Sequence, residues 1–93
     1  MSVAKERAAK VTVVNRLGLH ARPATAVADL AQQFTSSISL RREDEEIDGK
    51  SIMQIMLLAA TQGVELEIVA RGDDADAACD ALTDLFARGF DEE

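Results

Sequence analysis

The chain has one histidine, His20, set in Gly18-Leu19-His20-Ala21-Arg22-Pro23-Ala24. An imidazole is a neutral nucleophile near neutral pH, and the planar guanidinium of Arg22 suits the oxygens of a phosphoryl group. Gly18 permits an unusual backbone just before the histidine. Pro23 costs little in a first helical turn, where its missing N–H would have no helical partner. A helix starting here would add unpaired N–H groups and the positive end of its dipole, completing a receiver for phosphate. On residue types alone, a surface or capping histidine is the favoured reading. The α region is also disfavoured for a residue before proline, which sets Arg22 against His20 as the cap and leaves the helix start open by two residues.

Secondary structure must position that segment. Val11, Thr12, Val13 and Val14 favour a strand over Lys10 to Val14, ended by the turn chemistry of Asn15-Arg16-Leu17-Gly18. Val27, Leu30, Ala31 and Phe34 recur at helical spacing between Ala24 and Phe34, with Asp29, Gln32 and Gln33 opposite. Ser36 to Arg41 alternates as a half-buried strand, with Ile38 and Leu40 inward; a short strand around Ile47 is its expected hairpin partner, although Glu43-Asp44-Glu45 carries no Asn-Gly signal. Ser51 caps a short helix reaching to about Ala60. From Val64 to Arg71 the chain alternates again, with Val64, Leu66, Ile68 and Ala70 on one face. Asp73 and Asp74 suit the start of a last helix by capping and charge, and Arg88 suits its end. Ala75, Ala78, Cys79, Leu82, Leu85 and Phe86 make its apolar stripe, so Cys79 reads as core rather than redox chemistry. The order β-α-β-β-α-β-α points to an α+β sandwich with helices over one sheet face and a wet opposite face.

Composition narrows the partners. A net charge of −7 argues against nucleic acid and against anionic membranes, leaving proteins as the default. Ninety-three residues suit a single domain over 1–93, with 1–9 as a short polar extension. No apolar run approaches the roughly 20 residues of a membrane span, and Met1 to Ala9 lacks a secretory hydrophobic region, so a cytoplasmic protein is expected. The lone cysteine fits that compartment.

Gly18-Leu19-His20-Ala21-Arg22-Pro23-Ala24 resembles the active-site motif of the HPr family, the phosphocarriers of the phosphoenolpyruvate-dependent phosphotransferase system. Gly49-Lys50-Ser51-Ile52-Met53-Gln54-Ile55-Met56 is similar to that family's second helix and preceding turn, and the resemblance runs from about Lys10 to Phe90. It implies an open-faced β-sandwich, a four-stranded antiparallel sheet with three helices on one face. It also implies phosphorylation of Nδ1 of His20, with Arg22 stabilising the phosphoryl group, enzyme I as donor and a IIA protein or domain as acceptor. Such a protein is a carrier rather than an enzyme, expected to work as a monomer without cofactor or metal.

Ser51 needs no regulation to explain it, since an N-cap serine stabilises a helix by about 1 kcal/mol. The resemblance adds phosphorylation of Ser51 by a kinase resembling HPr kinase/phosphorylase. Met53 and Met56 are expected as an adaptable docking patch, and Ile52, Ile55 and Leu58 as core. One departure concerns charge: some sugar-system relatives carry lysines where this chain has Asp29, Gln32 and Gln54, which weakens the basic rim offered to an acidic partner. A regulatory module acting through Ser51, or a nitrogen-type pathway in place of sugar uptake, is therefore the alternative.

Overall fold

Alternating strands and amphipathic helices can bury their apolar sides only against each other, and that requirement sets the layers. A computed structural model of the chain describes residues 5–92. Strands β1 (Glu6–Thr12), β2 (Ser37–Arg42), β3 (Glu45–Asp48) and β4 (Glu65–Arg71) form one antiparallel sheet in the order β1-β4-β2-β3. Helices α1 (Ala21–Ala31), α2 (Ile52–Leu57) and α3 (Ala75–Ala87) lie over one face, and a 3-10 turn over Gly89–Asp91 follows. This is the expected α+β open-faced sandwich. No helix among the described residues is long and apolar enough to cross a membrane.

The core lies between the layers. Ile38 and Leu40 of β2 and Leu66, Ile68 and Ala70 of β4 meet Val27 and Ala31 of α1 and the whole expected stripe of α3, including Cys79. Burial pushes the Cys79 thiol up. Phe86 and Phe90 meet edge to face, with ring centroids 4.9 Å apart.

Several boundaries differ from the sequence expectation, each for a local reason. β1 begins at Glu6, so residues 6–9 of the expected extension are strand, paired Glu6↔Arg71 through Ala9↔Ile68; residues 1–4 lie outside the described residues. Charged side chains hide this strand's pattern because β1 is a sheet edge, where Arg7 instead pairs with Asp76 and Asp80 of α3. Val13 still exchanges backbone hydrogen bonds with Gly63 and Val64, although the strand ends at Thr12. α1 spans 21–31, and His20 rather than Arg22 is its cap. Pro23 falls in the first turn, where the carbonyl four residues back belongs to Leu19, outside the helix, so the ring clashes with nothing helical.

α2 ends at Leu57, short of Ala60. Ala59 turns left-handed at φ 50°, and Arg42 donates to the carbonyl of Leu58 at 2.9 Å, closing the helix end. The β2–β3 hairpin uses a two-residue loop whose first residue, Glu43, takes φ 55° without the usual glycine or asparagine. Val69, on the face expected to be wet, is buried, flanked in register by Ala8 and Ser39. Asp74 occupies the N-cap position of α3 but does not cap it. Its carboxylate accepts from the Ser36 hydroxyl and from the amides of Thr35 and Ser36, tying the α1–β2 turn to α3.

Candidate functional site

His20 sits where β1 hands over to α1. The turn between them is fixed at Gly18, which takes φ 67° and packs so closely that a Cβ would collide with the carbonyl oxygen of Ala60 and the Cα of Thr61. Leu19 then donates its amide to that same Ala60 carbonyl at 2.9 Å and buries its side chain. These two residues bolt the loop to the α2–β4 connection. His20 follows in extended conformation, φ −75° and ψ −172°, as the N-cap of α1.

The cap is unusual in what it omits. No side chain accepts a hydrogen bond from the first turn of α1, and the first helical bond is Ala24 N–H to the His20 carbonyl at 3.0 Å. Proline lacks an N–H, so the amides of Ala21 and Arg22 face outward at the positive end of the dipole. An anion beside His20 would meet them.

A residue far along the chain completes the imidazole's surroundings. Nε2 of His20 lies 3.1 Å from both carboxylate oxygens of Glu92, whose side chain is 14% exposed against 36% for His20. Asn15, 2% exposed, donates its side-chain amide to the Gly18 carbonyl at 2.8 Å and to Oε1 of Glu92 at 3.0 Å. Burial would raise the Glu92 carboxyl, but hydrogen bonds from His20 and Asn15, with the charges of His20 and Arg22, outweigh it and hold the group below its ordinary value. With Nε2 engaged as donor to a carboxylate, Nδ1 is the ring nitrogen left with a lone pair.

Arg22 does not touch His20 among the described contacts. It lines a shallow cavity of about 440 Å³ with Arg16, Leu17, Asp91 and Glu92, and Glu92 joins this cavity to the imidazole. The sequence reading found His20 and Arg22 but missed Arg16, Asn15 and Glu92. Asn15 and Arg16 had read as turn residues only. Glu92 follows the last periodic element, where nothing in the pattern shows that the chain folds back.

Ser51 caps α2, its hydroxyl accepting from the Gln54 amide at 3.2 Å. Gln54 in turn accepts from the Asp48 amide at 2.9 Å, and Gln32 donates to the Lys50 carbonyl at 3.0 Å. The neutral residues of the weakened basic rim are thus structural ties. Lys50 is also committed, donating from Nζ to the Phe34 carbonyl at 2.8 Å. Met53 and Met56 are exposed, as expected for a docking patch, and so are Leu17 and Leu57. Ile55 and Leu58 are core, whereas Ile52, the first residue of α2, is 37% exposed.

Comparison with known proteins gives a consistent result. Residues 8–88 match the family described as the PTS HPr component phosphorylation site. The phosphocarrier protein HPr of Treponema pallidum is 46% identical over 83 residues, covering 89% of this chain and 94% of its own length. The phosphocarrier protein NPr of Proteus mirabilis is 41% identical over 85 residues, covering 90% and 94%. Among solved structures, HPr-C-His from Thermoanaerobacter tengcongensis superimposes with a TM-score of 0.90 at 38% identity, covering 94% of this chain and 98% of that one.

Proposed function

The chain belongs to the HPr family, as a phosphocarrier of the phosphotransferase system and not a catalyst, and from that premise we propose that Nδ1 of His20 accepts a phosphoryl group from phospho-enzyme I and yields it to a IIA protein or domain. The observation that carries this reading is the Glu92 carboxylate on Nε2, which leaves Nδ1 as the bare nucleophile beside the uncapped start of α1. The Nδ1 lone pair attacks phosphorus while the bond from phosphorus to the donor breaks, and the donor keeps that electron pair. The ring gains positive character that Glu92 offsets through the Nε2 proton. The phosphoryl oxygens meet the Ala21 and Arg22 amides and the guanidinium groups of Arg22 and Arg16. Two flexible arginines and two amides hold the group loosely enough for onward transfer.

Docking uses Met53 and Met56 beside Ser51, which are exposed, as Leu17 and Leu57 are. Phosphate on Ser51 would place roughly −1.5 to −2 of charge within that apolar patch, opposing an acidic partner. The carrier works as a cytoplasmic monomer and a single domain over 1–93. The test supplies phosphoenolpyruvate and the enzyme I of its own organism, then looks for an acid-labile phosphate. Label on the unmodified protein and none on His20→Ala is expected; an unlabelled native protein rejects the assignment.

A nitrogen-type pathway is the second reading, favoured by the similarity to an NPr protein and by the neutral Gln32 and Gln54. Faster phosphorylation by a nitrogen-type than by a sugar-type enzyme I would select it.

A further inference from the structure

Asn15 presents a puzzle that turn formation alone does not answer. The residue is buried, and its one amide nitrogen donates twice, to the Gly18 carbonyl at 2.8 Å and to Oε1 of Glu92 at 3.0 Å. Its own Oδ1 is buried with no partner, a cost that native structures carry only where something offsets it. A serine could brace Gly18 but is too short to reach Glu92 as well. An aspartate would face Glu92 with like charge. The primary amide is the side chain that serves both contacts.

We infer that Asn15 is a positioning residue for phosphoryl acceptance: it locks the Glu92 carboxylate against Nε2 of His20, so that a fixed counter-charge stands behind the ring when Nδ1 takes the phosphoryl group. The inference rests on His20 being the acceptor. Glu92 follows a 3-10 turn in which Phe90 and Asp91 take φ 59° and 60°, with Phe90 buried as its anchor. That turn delivers the Glu92 backbone but leaves a side chain with several free torsions. Asn15 aims it, while Arg22 across the cavity supplies attraction without a fixed direction. Asp91, also on the cavity wall, is drawn aside by Arg88 at 3.4 Å. The arrangement parallels a histidine whose second nitrogen is oriented by a carboxylate that is itself hydrogen-bonded.

The test compares the full-length protein with Asn15→Leu, Glu92→Ala and the double variant, using nitrogen-15 labelled histidine. In the unmodified protein the Nε2 proton of His20 should give a slowly exchanging, hydrogen-bonded resonance. It should vanish in Asn15→Leu and in Glu92→Ala. Phosphoryl uptake should fall about tenfold in each, and the double variant should be no slower than Glu92→Ala alone, because Asn15 acts through Glu92. Should Asn15→Leu disturb the turn, Asn15→Asp keeps the side-chain shape while removing the donor, and the same losses are expected. A Nε2 proton signal that survives either Asn15 substitution, or losses that add in the double variant, overturns the inference. The proton is read without phosphoenolpyruvate or enzyme I. A protein that shows the Asn15-dependent signal yet takes no label therefore refutes the acceptor reading and leaves the Asn15–Glu92–His20 linkage standing.

Discussion

Two helix N-termini on the same side of the sheet are finished in opposite ways. α2 is closed, with the Ser51 hydroxyl taking the Gln54 amide; α1 is open, its cap position held by a histidine that caps nothing. Closing a helix start is worth about 1 kcal/mol. The fold forgoes that stabilisation at α1 and keeps unpaired donors available beside a nucleophile. The difference separates a helix end built for stability from one held ready for a transient anion.

The comparison breaks most decisively if α1 is closed by substitution. His20→Asn places a good, uncharged and non-nucleophilic capping side chain on an extended residue, so phosphoryl uptake should be lost entirely while the new cap offsets the lost Glu92 contact by up to about 1 kcal/mol of stability. Denaturant unfolding together with an acid-labile phosphate assay reads both. A smaller effect is expected of Arg22→Gln, which leaves the helix intact and removes one charge-assisted contact; uptake should fall ~10- to 100-fold, with little change in unfolding midpoint. At α2 the order reverses. Ser51→Ala should lower stability by about 1 kcal/mol with uptake by His20 unchanged, whereas Ser51→Asp retains a capping oxygen and should slow uptake severalfold through charge at the docking patch.

The third N-terminus sharpens the contrast, because Asp74 turns away from α3. Hydrogen bonds from the Ser36 hydroxyl and the Thr35 amide hold its carboxyl at about 2, against an ordinary 3.8. A depressed carboxyl contributes stability above its unfolded value and loses it as pH falls through the folded one. Unfolding midpoints measured at pH 7, 4 and 2 should therefore decline most between the last two, and Asp74→Asn should flatten that decline. An unchanged slope would show that the tie from α3 to the α1–β2 turn contributes nothing.

Much of the fold was legible in the sequence because it depends on periodicity. The α3 stripe from Ala75 to Phe86 is buried residue for residue, and β2 and β4 bury the faces read for them, β4 departing only at Val69. What escaped depends on contacts between distant residues. Charge on the β1 edge conceals a strand that begins at Glu6, the end of α2 is decided by Arg42 reaching Leu58, and Asp74 reads as a cap until Thr35 and Ser36 are seen beside it. At the site, His20 and Arg22 were visible as a local motif. Asn15 and Glu92 were not, because a pattern read along the chain has no way to register a contact across 77 positions.

That span bears on biosynthesis. The residue behind the imidazole is 72 positions from it, on a segment that follows α3 and is anchored by Phe90 in the core. A nascent chain emerging from the ribosome exposes His20 early, but without Glu92, without the Ala60 anchor and without a formed helix start. The surroundings of the imidazole are therefore complete only once the chain has been made through Glu92 and has folded.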